Sequence, residues 1–230
     1  MDPKLLTVYK QPYNKLRIGK INDGGYIISD LPNKYDIMIG CGISDDISFE
    51  HDFCTKYQKG IKCYAFDGTI NSINSKSDNI IFIKKNISNI NNEFYTNLHD
   101  LIDNHNSIFL KMDIEGCEIQ WIKSLSEEQL NKFDQIVIEF HTPFSTNEIE
   151  VFEKINKNHL LVHFHPNNCC GTRNHHGVII PNIFECTYIN KKFIKEKILN
   201  TDSIPDILDS KNVLDRDEIF IDYPPFVYKH

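Results

Sequence analysis

Residues 36–46 read DIMIGCGISDD, and the fold turns on this stretch. Asp36–Cys41 is a short apolar run of strand length, closed by Gly40, Cys41 and Gly42. An apolar run followed by glycines, then by Ser44, Asp45 and Asp46 with their helix-capping side chains, predicts a buried strand turning into a helix. That helix is expected over Asp45–Tyr57, where Ile47, Phe49, Phe53 and Tyr57 recur on one face.

The same alternation continues outward. Ile61–Phe66 reads as a second strand and Asn79–Ile83 as a third, with the polar stretch Thr69–Asn79 as a surface connection. Tyr95–His105 reads as a helix, Ser107–Asp113 as a fourth strand, and a further helix runs through Trp121. Gln135–Phe140 is a fifth strand, Glu148–Asn156 a helix, Leu160–Phe164 a sixth strand and Phe184–Ile189 a seventh. Strands alternating with helices predict a mostly parallel sheet covered on both faces. Ligands of such sheets bind at the carboxyl ends of the strands. The 230 residues suit one α/β domain, with 1–35 as an N-terminal cover, 36–190 as the core and 191–230 as a C-terminal extension.

Composition narrows the class of function. The chain is 40% hydrophobic and 25% charged, as expected of a globular domain, and its net charge is −7. That balance argues against general binding to nucleic acid or to an anionic membrane. Seven cysteines, an odd number at no recognisable spacing, give no disulfide framework and point to a reducing compartment. No signal-peptide core or membrane-length apolar run is present, so a soluble cytoplasmic protein is expected, with homo-oligomerisation left open.

The strand ends carry the candidate chemistry. At the first, Gly40, Cys41 and Gly42 allow a tight turn and close approach of a ligand to the main chain. A plain turn would explain a lone GxG equally well. Asp67 ends the second strand 25 residues after Gly42, where an acid can accept from both hydroxyls of a ribose; the alternative is a solvated turn aspartate. A dinucleotide site would want a third glycine where Asp45 stands. A carboxylate at a helix N-terminus repels a pyrophosphate, so a nucleoside ligand without phosphate fits better.

The fourth strand ends in Asp113, Glu115 and Glu118, and the fifth in Glu139 and His141. Glu115 is expected to open the next helix, where an acid suits the dipole. Asp113, Glu139 and His141 would form an acid/imidazole cluster able to deprotonate a hydroxyl or hold a divalent cation such as Mg2+. Helix capping and a satisfied structural histidine are the competing explanations. His163–Gly171, with Arg173, His175 and His176 beyond it, matches no standard zinc spacing and reads as a polar loop using His165 and Asn168.

Taken together, these residues resemble FkbM-type methyltransferases. Arg17-Ile18-Gly19 with Asp23-Gly24-Gly25-Tyr26 is similar to the family's R-x-G and DGGY elements. Ile39-Gly40-Cys41-Gly42 with Asp46, Ser48, Phe49 and Glu50 resembles its first motif, and Ala65-Phe66-Asp67 its AFD. Leu110–Glu118 looks like LKMDIEGAE, with Cys117 in place of alanine. Glu139-Phe140-His141, His165–Asn168, Glu185–Tyr188 and Tyr223–Phe226 extend the likeness over nearly the whole chain.

The resemblance implies a Rossmann-like class I methyltransferase fold whose seven-stranded, mostly parallel sheet has an antiparallel last strand. It implies S-adenosyl-L-methionine as cofactor, covered by Asp23, Gly24, Gly25 and Tyr26. Gly40, Cys41 and Gly42 would meet its amino-acid end, Asp67 its ribose and Asn86 its adenine, with Asp113 beside it. The expected reaction is O-methylation of a small hydroxylated acceptor: a sugar, glycan or nucleotide-sugar. His141 is the first candidate base and His165 the second, with Asp113 and Glu139 orienting the base or the hydroxyl, or binding Mg2+. The alternatives are an NAD-dependent sugar-modifying oxidoreductase or epimerase, and a non-catalytic scaffold.

Overall fold

The computed structural model describes residues 2–75, 77–145 and 149–229. Thirteen strands and five α-helices occur among them. In chain order they are β1 (Lys15–Ile18), β2 (Tyr26–Ser29), β3 (Ile37–Cys41), α1 (Ser48–Asp52), β4 (Lys62–Phe66), β5 (Ile80–Ile83), β6 (Asn86–Ile87) and β7 (Tyr95–Thr96). Then follow α2 (His99–Asp103), β8 (Ile108–Met112), α3 (Glu118–Ser124), α4 (Glu127–Asn131), β9 (Phe133–His141), α5 (Ile149–Asn158), β10 (His159–Pro166), β11 (Thr172–His175), β12 (Val178–Pro181) and β13 (Ile183–Asn190).

Seven strands form one sheet in the order β10-β13-β9-β8-β3-β4-β5. Every pairing is parallel except those of β13, which runs antiparallel between β10 and β9. The seventh expected strand is therefore antiparallel, and it is inserted one place in from the sheet edge. The short hairpin β11–β12 turns the chain back after β10, which brings β13 in with reversed direction.

Apolar side chains cover both faces of the sheet. One face packs Trp121, Leu130, Phe152 and their neighbours from α2 to α5. The other packs Phe49 and Phe53 from the segment after β3, together with Ile18, Tyr26 and Ile28 of the β1–β2 hairpin. Phe53 packs at a tilt against Phe109 with ring centroids 4.3 Å apart, and Phe49 meets Tyr26 edge-on at 5.7 Å. The hairpin is thereby held over the half of the sheet that carries the candidate acids. Thr187 Oγ1 also donates to the Ile27 carbonyl, and Gln135 Oε1 accepts from the Ser29 amide.

Several elements differ from expectation. The helix expected from Asp45 begins at Ser48, because Asp46 accepts from the Ser48 amide and pairs with Lys20. Its second half, Phe53–Tyr57, widens to a π turn. The helix expected over Tyr95–His105 shrinks to α2. Tyr95 and Thr96 pair with Asn86 and Ile87, Leu98 turns left-handed at φ 64°, and Thr96 and Asn97 side chains cap the amides of Leu98 and His99. These local bonds compete with an earlier helix start. Of the helix expected from Glu148, residue 148 lies outside the described residues and Ile149–Asn158 is helical. Cys169 and Cys170 are joined as a disulfide of adjacent residues, which the scattered spacing did not lead one to expect. Among the described residues no helix is long and apolar enough to cross a membrane.

Candidate active site

A cleft of about 490 Å³ opens at the carboxyl ends of β3, β4 and β8. It falls in the range of roughly 300–1,000 Å³ usual for small-molecule sites. Asp23, Gly42, Asp67, Asn86, Asp113 and Glu115 all line it. Five of these six come from the expected cofactor and catalytic positions, drawn from chain segments up to 90 residues apart. A smaller hollow of about 330 Å³ lies on the far side of Ser44, between Asp45 and Asn74.

The glycine turn is bare for reasons internal to the protein. Gly42 has φ +71°, and a Cβ there would stand 1.5 Å from the Asp113 carbonyl oxygen. A Cβ on Gly40 would stand 2.7 Å from Glu50 Oε1. Close packing of β3 against β8 and α1 thus requires both glycines, whatever ligand lies in the cleft. The Cys41 side chain points into the core, and only its backbone serves the site, its carbonyl accepting from the Asp113 amide at 3.0 Å. Burial pushes its thiol pKa up, which removes it as a reactive group.

Asp67 is nearly buried, at 7% exposure. Its Oδ2 accepts from the Ser44 amide at 2.8 Å, and its Oδ1 from the amide and hydroxyl of Thr69 at 2.7 and 2.6 Å. Burial works to raise its pKa, but these hydrogen bonds outweigh burial and hold it below the usual carboxylate value. A carboxylate offers about four acceptor sites, so an ionised Asp67 keeps room on Oδ2 for a ligand hydroxyl. Asn86 Oδ1 accepts from the Gly68 amide beside it. Tyr26 does not lie over the cleft as a cover. It is buried, and its hydroxyl donates to Asp113 Oδ2 at 3.0 Å. Of the DGGY loop, Asp23 is the residue that lines the cleft.

Beyond Asp113 the sheet register sets an ionisable row. Met112 pairs with Ile138, so Asp113 stands beside Glu139; Glu139 pairs with Glu185, and Glu185 with His165. Register partners share a face. His141 ends β9 with Nδ1 at 3.0 Å from Glu118 Oε1. Its Nε2 lies 3.3 Å from Glu115, 3.4 Å from Glu139 and 3.8 Å from Asp113. Burial alone would lower the pKa of His141, but the Glu118, Asp113 and Glu115 carboxylates outweigh it and raise the value. Burial, reinforced by Asp113 and Glu185, pushes the Glu139 carboxyl up.

Glu115 does not open the helix as expected. It sits at φ 58° in the turn before Gly116, and α3 begins at Glu118. His165 does not reach the cleft either. It is 1% exposed and its Nδ1 pairs with Glu185 at 3.1 Å, an arrangement that raises it to about 9 despite burial. Asn168 holds Val213 and Arg216 of the C-terminal segment, so it closes the structure there.

Glu118, Asn167 and Glu50 are site neighbours that sequence reasoning did not assign. Glu118 closes the stretch Leu110–Glu118, three residues after Glu115. Asn167 donates to Glu139 at 3.2 Å across 28 residues, and no spacing announces that. Glu50 is wholly buried beneath Gly40, where burial pushes its carboxyl up.

No curated protein matches the chain. Among solved structures, the crystal structure of TrmN from Thermus thermophilus is similar at 8% identity and a TM-score of 0.36, over 68% of this chain and 44% of that one. The chain spans less than half of that protein's length, and a likeness this slight carries no argument. The model described as the methyltransferase FkbM domain matches residues 10–190, most of the chain, and the protein therefore belongs to the FkbM methyltransferase domain family.

Proposed function

We propose that the protein is an S-adenosylmethionine-dependent O-methyltransferase of Rossmann-like class I architecture, acting on a small hydroxylated acceptor such as a sugar, glycan or nucleotide-sugar. Membership of the family implies S-adenosylmethionine as methyl donor. The observation that carries the rest is that Asp113, which lines the cleft together with Gly42 and Asp67, stands against Glu139 and His141 just behind the lining. The strand order β10-β13-β9-β8-β3-β4-β5, with β13 reversed, supports the fold reading. The family match favours methyl transfer over an NAD-dependent oxidoreductase and over a scaffold without catalysis. The net charge of −7 supports a reading without nucleic-acid or membrane partners.

The cofactor, when bound, supplies an electrophilic methyl carbon on a sulfonium. Asp67 would hold a ribose hydroxyl of the cofactor and Asn86 would meet its base. Asp23 and Asp113 border the route from cofactor to acceptor. A sugar hydroxyl is a poor nucleophile until it loses its proton, and a positioned base is worth about 10² to 10⁴-fold. The proton passes to the Asp113, Glu139 and His141 cluster, with His141 Nε2 as the receiving atom. Buried His165 serves the row of charges behind them.

Calorimetry with S-adenosylmethionine tests the cofactor half. Asp67→Asn is expected to weaken binding at least about tenfold, the scale of one lost charge-assisted hydrogen bond. Transfer of labelled methyl groups to a panel of free and nucleotide-linked sugars tests the acceptor half. Tight cofactor binding with no transfer to any hydroxylated compound would remove the O-methyl reading and leave the family membership standing.

A further inference from the structure

The geometry points to a binding site for a divalent first-row transition ion formed by Asp113, Glu139 and His141. Each of the three offers a ligand atom, and these atoms all lie within 4.8 Å of one another. Donors around an ion at about 2.0–2.3 Å stand roughly 3–4.5 Å apart, so the cluster needs little movement to close on one. Two of its atoms lack partners. Asp113 Oδ1 and Glu139 Oε2 are buried without a hydrogen bond. Glu139 is only 4% exposed, and an unpartnered buried carboxylate oxygen is costly unless something positive meets it.

The imidazole is arranged as a ligand. Its Nδ1 faces Glu118, a carboxylate 1% exposed and itself tied to the Gly116 amide at 2.9 Å. A metal-ligating histidine almost always gives its other ring N–H to a carboxylate or carbonyl, which fixes the tautomer and turns the free nitrogen to the ion. Here that nitrogen, Nε2, is turned toward Asp113, Glu115 and Glu139 together. Charge leads to the same conclusion. The acidic side chains of Asp113, Glu115, Glu118 and Glu139 outnumber the cations beside them, His141 and the buried Lys111, and a divalent ion reduces that excess.

The donor set also selects the ion. Mg2+ prefers an all-oxygen shell with retained waters, whereas a shell of one imidazole and two carboxylates suits Mn2+ or Zn2+ better. Three protein ligands leave positions open for an acceptor oxygen. The inference rests on the proposed O-methylation for its chemistry but not for its test. An ion on Nε2 replaces His141 as the group that activates the acceptor, because the hydroxyl becomes more acidic on the ion itself. Its proton then leaves to the exposed carboxylate of Glu115, and the oxygen forms its bond to the methyl carbon as the carbon–sulfur bond breaks.

The test is calorimetric titration of chelator-stripped full-length protein with manganese, zinc and magnesium chlorides, alongside a separate titration with S-adenosylmethionine. Mn2+ and Zn2+ are expected to bind with one site per chain and Zn2+ the tighter, following the usual affinity order. Mg2+ is expected at least about tenfold weaker than Mn2+. Glu139→Gln and His141→Ala should each abolish or weaken Mn2+ binding by about tenfold or more, and Glu118→Gln by about 10 to 100-fold. Circular dichroism matching the parent protein shows that each variant is folded. Absence of Mn2+ and Zn2+ binding up to millimolar concentration overturns the site. So does binding that survives Glu139→Gln, or Mg2+ binding as tight as Mn2+. Each of these results leaves the cofactor titration to judge the methyltransferase reading on its own.

Discussion

Tyr26 donates its hydroxyl hydrogen to Asp113 Oδ2 at 3.0 Å, joining residues 87 apart in the chain. The bond ties the N-terminal hairpin to the end of the central strand β8, beside the cleft. Burial, with the Asp113 and Glu139 charges, holds the phenol well above its ordinary pKa, so it remains a donor at any physiological pH.

Removing that hydroxyl tests how strongly the hairpin is held. Tyr26→Phe keeps the ring against Phe49 and loses only the bond. A hydrogen bond to a charged group is worth about 1.5–3 kcal/mol, so urea unfolding should show a loss of that size. A loss below about 0.5 kcal/mol would mean that the aromatic packing holds the hairpin alone.

At Gly42 the backbone itself is at stake. Gly42→Ala must place a methyl 1.5 Å from the Asp113 carbonyl at a positive φ. The strand tips have to separate, and a loss above about 3 kcal/mol is expected, seen as a sharp fall in melting temperature or in soluble yield. Full stability would show that β3 and β8 are less closely packed than described.

The C-terminal segment hangs on a buried pair. His163 Nε2 and Asp209 Oδ1 are 3.0 Å apart, with side chains 5% and 1% exposed. Asp209→Ala leaves the imidazole buried without its partner, and the expected cost is about 3–5 kcal/mol. Asp222→Ala, which breaks the exposed Lys229–Asp222 pair, should leave unfolding unchanged. Equal effects of the two substitutions would contradict the assigned burial.

Stability should also depend on pH in a definite way. His165 has a folded pKa of about 9, above the ordinary value near 6.5. Its contribution is complete below about pH 6.5 and is lost as pH rises through about 9. Burial works to raise Asp209, but His163 outweighs it and lowers the folded value to about 2, so its contribution is complete above about pH 4 and fades as pH falls toward 2. Urea midpoints measured across this span should form a plateau with two falling limbs. His165→Gln should flatten the alkaline limb, and an unchanged limb would assign it to another group.

The alternating apolar runs made the sheet legible. All seven strands of the main sheet stand within two residues of their expected ends, because a strand buried on both faces must be apolar along its length. The residues at strand tips were legible for a related reason: a parallel sheet collects its tips at one end, so Asp67, Asp113 and His141 had to come near one another. The small hairpins β1–β2 and β11–β12 and the short parallel pair β6–β7 were not legible. Their strands are two to four residues long and take their pairing from partners that no local period reveals. Helix starts moved for a similar reason. Asp46, Thr96 and Asn97 spend their side chains on neighbouring amides, which a hydrophobic count does not register.

The string of residues alone settled the layers, the polarity of the sheet and the end at which the candidate acids gather, since these follow from periodicity and chain direction. It could not separate the three histidines, because their roles depend on depth and partner. His141 stands against Asp113 with Glu118 on its other nitrogen, His165 is sealed against Glu185, and His163 anchors the C-terminal segment on Asp209. Those partners lie 20 to 46 residues away and are matched only when strands, loops and extension pack together. Burial then sets each charge through desolvation and neighbours, quantities that exist only in three dimensions.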